Sequence, residues 1–158
     1  MITEQIWAAI GAIGCMVSGG VVGWLSMGNW DWYETLKKPP FQPPNWLFGP
    51  VWTALYALMG IAFGSLIANR ASLGIWLFIL QFILNLTWTP LFFRFKQIGP
   101  AFINIIALWI AIVGTIWATV RTSLTIFSIP TWALLIPYIA WVTFASILNG
   151  TIYFLNRD

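Results

Sequence analysis

The chain carries 11 charged side chains in 158 residues, and they fall where they leave five long stretches uninterrupted. Acidic and basic residues occur only at positions 4, 31, 34, 37, 38, 70, 94, 96, 121, 157 and 158. The segments 5–30, 39–69, 71–93, 97–120 and 122–156 are therefore free of charge. A helix needs about 20 mostly apolar residues to cross the hydrocarbon of a bilayer, and each segment exceeds that. Lipid offers no partners to a bare backbone, which favours helices whose hydrogen bonds are all internal. The fold class read from this pattern is an all-α membrane protein. It is a bundle of five transmembrane helices in one domain over 1–158, with spans at 5–27, 50–69, 73–93, 98–120 and 131–155. One long structured loop joins the first two. Composition agrees: 7% of residues are charged, against about 25% in soluble domains.

With alternating spans, Lys37, Lys38, Arg94, Lys96 and Arg157 fall on one side and only Arg70 and Arg121 on the other. The positive-inside rule then predicts an external N-terminus and a cytoplasmic C-terminus, in what we expect to be a bacterial cell membrane. The net charge of +3 is scattered between spans and makes no basic face for nucleic acid. The single cysteine, Cys15, excludes an internal disulfide and reads as a small packing residue. Small residues recur every four positions as Cys15–Gly19–Gly23 and Gly60–Gly64–Ala68, with a similar face through Ala107, Ala111, Gly114 and Ala118. Such faces let helices approach closely in lipid, and their number predicts a homodimer.

Three spans carry stripes at helical spacing that mix aromatic rings with neutral polar groups. They are Trp52–Tyr56–Met59–Gly60–Phe63, Gln81–Asn85–Trp88–Thr89–Phe92, and Tyr138–Trp141–Ala145–Leu148–Asn149–Ile152. Any one stripe could be interhelical glue. Three in one small bundle predict a shared pocket with apolar walls, flat rings and a few oriented hydrogen-bonding groups. Trp7, Trp30, Trp32, Trp46 and Trp132 lie near span ends and read as interface anchors. The chain has no histidine, and no span contains a charge. Proton-coupled transport and hydrolytic acid–base catalysis thus lack their usual groups. Haem iron could be ligated only by Cys15, a methionine or a tyrosine, a poor set, and no metal ligand set is read. A metal-free ring system held by stacking suits the inventory better.

The segments "WYETLKKPPFQPPNWLFGPVWTALYALMG" (32–60), "QFILNLTWTPLFF" (81–93) and "PYIAWVTFASILN" (137–149) together resemble the TspO/MBR family of translocator and tryptophan-rich sensory proteins. The resemblance implies a five-helix bundle, often dimeric. It implies binding of porphyrins and of benzodiazepine- or isoquinoline-type ligands beneath the first loop. Carried onto this sequence, the ligand-binding residues are Trp52, Tyr56, Asn85, Trp88, Tyr138, Trp141, Ala145 and Asn149, with Tyr33, Phe41 and Trp46 from the loop. Some bacterial members degrade protoporphyrin in light through two tryptophans that match Trp52 and Trp141. Animal members bind cholesterol through a span-five pattern that Leu148, Tyr153 and Arg157 fit loosely. Phe41 stands where many members have tryptophan.

The loop itself is stiffened by Pro39, Pro40, Pro43 and Pro44, with Pro50 following. Residues that precede proline avoid the helical region, which predicts that 38–49 does not extend the second span outward. A stiff loop loses less entropy when ordered and could hold Phe41 and Trp46 over the pocket as a lid; the plainer alternative is a rigid linker with interface aromatics. The leading expectation is a tetrapyrrole-binding sensor or handling protein with no obligatory cofactor and protoporphyrin or a related ring as ligand. A light-dependent porphyrin-degrading enzyme and a sterol or lipid carrier are the alternatives.

Overall fold

The computed structural model describes residues 2–157. Helix α1 (Ile2–Ser26) passes through a tight turn at Met27–Asn29 into a short helix α2 (Trp30–Thr35). Helices α3 (Asn45–Ala68), α4 (Ser72–Thr89), α5 (Ile98–Arg121) and α6 (Ile136–Leu155) follow. Five helical segments among the described residues are long and apolar enough to cross a membrane, the first running through α2. Their ends alternate as the charge pattern requires. Asn156 holds Lys37, and Asn29 reaches the Arg94 carbonyl, so the loop, the α4–α5 turn and the C-terminal end share one face of the bundle.

The tightest contact lies between α1 and α3. A methyl group at Gly11 would run into Gly60, one at Gly60 into Gly11 and Ala12, and one at Gly64 into Trp7 and Ala8. Each of these obstructing atoms is backbone, so only glycine lets the helices meet this closely. The four-residue repeat on α3 is therefore consumed inside the protomer. Around this seam the core is filled by Met59, Leu66, Phe78, Ile105, Ile112, Tyr138 and Val142, all essentially inaccessible.

Three local features depart from the sequence reading. Helix α3 begins at Asn45, not near Pro50. Pro44 is extended (φ −57°, ψ 140°) and accepts the Leu47 N–H at 3.0 Å, which starts the helix five residues early. Pro50 sits inside the helix close to its start, where a missing N–H is best tolerated. The pre-proline restriction falls on Gly49, the residue with the least to clash.

Helix α4 does not continue as a regular helix to 93. Pro90–Arg94 forms a widened π-turn, closed by Phe95 N–H to Pro90 O at 2.9 Å. The polar turn expected at 121–130 contains a small hairpin, β1 (Thr125–Ile126) and β2 (Ile129–Pro130), with Ile126 opposite Ile129. Its two central residues, Phe127 (φ 50°) and Ser128 (φ 64°), are left-handed. Two-residue hairpin loops need this, because such turns match the twist of the strands.

Helices α3 and α5 end alike, with left-handed Arg70 and Ser123. The N–H groups of Ala71 and Leu124 return to the carbonyls of Leu66 and Thr119 at 3.0 and 3.4 Å. These 6→1 bonds satisfy carbonyls that a helix end otherwise leaves open.

Candidate ligand-binding site

The glycine seam that joins α1 to α3 also determines where the bundle is hollow. The two helices are pinned at Gly11, Gly60 and Gly64, away from the loop. Towards the loop, a methyl at Gly20 or Gly23 would meet nothing within 4 Å. Gly19 gives its side-chain space to the Tyr56 ring. The opening gap is a cavity of about 450 Å³, within the range of small-molecule sites. Gly19, Gly20 and Gly23 form one wall, Phe48, Trp52 and Tyr56 of α3 another, and Trp88 and Phe93 of α4 a third. Trp30 on α2 closes the loop end.

A second, much smaller cleft of about 20 Å³ lies on the α6 side, lined by Tyr33, Trp141, Ala145, Leu148 and Asn149 among others. Phe48, Trp52, Trp88 and Phe93 line both spaces. These four rings are a partition between a large chamber and a nearly filled one. Trp52 lies 5.7 Å from Tyr56 and 6.4 Å from Tyr138, and Phe48 lies 5.8 Å from Trp141.

Behind the rings, the polar groups of the three stripes satisfy one another. Tyr56 O–H donates to Asn85 Oδ1 at 2.7 Å, and Asn85 Nδ2 donates to the Tyr138 hydroxyl at 2.9 Å. Tyr138 O–H passes on to Gln81 Oε1 at 2.7 Å. Trp88 Nε1 donates to Asn149 Oδ1 at 3.0 Å, and Asn149 Nδ2 reaches the Ile98 carbonyl at 3.1 Å. This network ties α3, α4 and α6 together, so the polar stripes serve as glue and as pocket support at once. One lining donor stands outside it: Trp141 Nε1 is buried and finds no protein acceptor. A buried donor left in that state costs about 1–3 kcal/mol, which an acceptor on a bound ligand would recover.

The structure distributes the anticipated site residues as follows. Trp52, Tyr56 and Trp88 line the large chamber; Tyr33, Trp141, Ala145 and Asn149 line the small cleft, where Trp52 and Trp88 also appear. Asn85 and Tyr138 are buried in the network and line neither space. Phe41 is 48% exposed and packs edge-on to Phe144 at 6.5 Å, while Trp46 is 71% exposed. Neither ring covers the chamber; the covering is done by α2 and by Phe48. The sterol-type residues do not form one surface. Leu148 is buried, Tyr153 lies beside Gly99, and Arg157 stacks over Phe154 at 5.2 Å.

Phe48, Phe93 and Trp30 are site residues that sequence reasoning missed. Phe48 precedes Trp52 by four residues and shares its face once α3 is known to start at Asn45. Phe93 enters the wall only because the π-turn inserts an extra residue. Among the described residues, no group of three His, Cys, Asp or Glu side chains gathers to hold a metal.

Comparison with known proteins gives concordant results. The model of the TspO/MBR family matches residues 11–155. The chain is 42% identical to the "Tryptophan-rich protein TspO" of Chlorobaculum tepidum, over 79% of each chain. It is 33% identical to "Protein CrtK" of Rhodobacter capsulatus, over 94% of this chain and 91% of that one. With the human "Translocator protein" the identity is 32%, over 90% of this chain and 83% of the relative.

Proposed function

Because this chain belongs to the TspO/MBR family and is an integral membrane protein, we propose that its chamber binds a large, flat, mostly apolar ligand of the tetrapyrrole class, for sensing or handling rather than for acid–base chemistry. One observation carries this reading. The chamber of about 450 Å³ is walled by the faces and edges of Trp52, Tyr56, Trp88 and Phe93, with glycines opposite. Rings on one side and bare backbone on the other make a slot, a shape suited to a planar molecule. The same reading takes no obligatory cofactor. It includes a homodimer and a cell-membrane location with the N-terminus outside. With Gly60 and Gly64 used within the protomer, a dimer must draw on outward-facing small residues such as Gly14, where an added methyl meets nothing within 4 Å.

The test is titration of the detergent-solubilised protein with protoporphyrin IX while tryptophan fluorescence is followed. Saturable quenching is expected in the wild type and should weaken in Trp52→Phe and Trp88→Phe. Quenching that is unsaturable, or equal in the variants, would place the ligand elsewhere. Loss of one stacking indole should weaken binding by about 1–3 kcal/mol if base-stacking energies transfer.

The photochemical alternative, with Trp52 and Trp141 as redox residues, is favoured by their both lining the small cleft. It predicts light-dependent loss of the porphyrin absorption band, abolished in either Trp→Phe variant. A sterol-carrier role predicts that cholesterol displaces protoporphyrin IX.

A further inference from the structure

The outer wall of the site is α2, and its attachments differ from those of the other helices. It follows α1 through the tight turn Met27–Asn29, where Gly28 is exposed and meets nothing within 4 Å. At its far end the chain is fastened by one side chain. Asn156, just beyond α6, accepts the Lys37 N–H through Oδ1 at 2.9 Å and donates through Nδ2 to the Lys37 carbonyl at 2.9 Å. One amide thus grips both polar groups of a single peptide residue 119 positions away, in the manner of a neighbouring strand. Between hinge and clasp, Tyr33 is 3% exposed and packs on Phe92 and Phe93 at 5.9 and 5.4 Å. A side tie runs from Asn45 at the start of α3 to Glu34 at 2.7 Å.

We propose that α2 is a hinged flap over the ligand site and that Asn156 is its latch, a positioning residue whose release sets the rate of ligand exchange. The proposal rests on the site reading given above for the identity of the ligand, but not for the flap motion. The physical argument is one of asymmetry. The apolar underside of the flap seals the cavity, so opening exposes Tyr33 and Trp30. The hinge strand costs nothing to bend, because no side chain packs around Gly28. What remains to be broken is a small set of polar contacts near the membrane surface, where water can replace them. Hydrogen bonds exchangeable with water have small net strengths, which suits a closure that must open and shut.

The experiment uses the full-length protein in detergent, with two readouts. The first is hydrogen exchange of the ligand-free protein over Tyr33–Leu36, excluding Lys37, whose amide is itself the bonded donor. The second is the dissociation rate of protoporphyrin IX. Asn156→Ala should raise exchange over Tyr33–Leu36 and speed dissociation, each by about fivefold or more, while exchange in the centres of α4 and α5 stays as in the wild type. Asn156→Asp keeps the acceptor and loses the donor, and should fall between. A Lys37→Cys/Asn156→Cys pair in a Cys15→Ala background, bridged by a short bis-maleimide, should slow both processes below the wild-type rates.

Unchanged exchange over Tyr33–Leu36 in Asn156→Ala would overturn the latch, and faster exchange with unchanged dissociation would overturn its control of the ligand. If the wild type fails to bind protoporphyrin IX at all, the tetrapyrrole reading falls, and the exchange measurements on the alanine and bridged variants still decide the flap.

Discussion

Two alanine substitutions on the same pair of helices should act in opposite directions. At Gly60 a new methyl carbon would sit 2.5 Å from the Ala12 Cα and closer still to the Gly11 carbonyl oxygen. Carbon atoms in contact prefer about 3.5–4.0 Å, so α1 and α3 must part by roughly 1 Å along their closest seam. The obstructing atoms are backbone and cannot rotate away. Overpacking of this kind costs about 1–3 kcal/mol. At Gly20 the same methyl meets nothing within 4 Å, and only the intrinsic preference of a helix for alanine remains, a gain of about 0.5–1 kcal/mol. That preference enters both variants and cancels in their difference. Gly60→Ala should therefore be about 1–3 kcal/mol less stable than Gly20→Ala, with the wild type between them. The assay is denaturant-induced unfolding of the ligand-free protein in one detergent. Equal stabilities for the two variants would refute the claim that glycine at the seam holds the bundle together.

Other outcomes follow from the same contacts. Asn85→Ala leaves the Tyr56 and Tyr138 hydroxyls each short of a partner and should destabilise by about 1–3 kcal/mol in the same assay, with Asn104→Ala, at the exposed Thr87 contact, near neutral. Trp141→Phe deletes a donor that has no protein acceptor, so stability should hold or rise, while affinity for a carbonyl-bearing ligand should fall by about 0.5–1.5 kcal/mol in a binding titration. Replacing Phe127–Ser128 by Asn-Gly puts residues suited to the left-handed region at both central hairpin positions. The midpoint of unfolding should move upward, corresponding to a gain of about 1–2 kcal/mol.

The number of spans was legible because in lipid a charge costs too much to be placed casually, so the 11 charged residues act as boundary marks. The stripes on α3, α4 and α6 were legible for a related reason: a polar group among apolar neighbours needs a partner, and helical spacing says where to look. Asn85 and Asn149 were found in that way.

What escaped was the local backbone. The start of α3 depends on how Pro44 closes a turn, and a count of prolines does not reveal that five residues beyond them are helical. With the helix started at Pro50, Phe48 was hidden. The π-turn at Pro90 has no periodic signature of its own, and it moved Phe93 to the inner face. Trp46 and Phe41 look like a cover when the loop is drawn as a strap. They face outward because α2, which the sequence presents only as the polar run "NWDWYET", already occupies the place.

The widened turn at Pro90–Arg94 has a consequence for how this site could be altered over generations. Substitutions adjust a wall by adding or removing atoms at fixed addresses. A π-turn is an address change: one surplus residue held within an otherwise regular spiral. Deleting a single codon there would turn everything between α4 and α5 by about 100°. It would carry Phe93 off the chamber wall and swing Arg94 and Lys96 to a different part of the rim. No point mutation reaches that outcome. The reading frame of the helix, as much as the identity of its rings, is thus a variable by which the volume of this chamber is written.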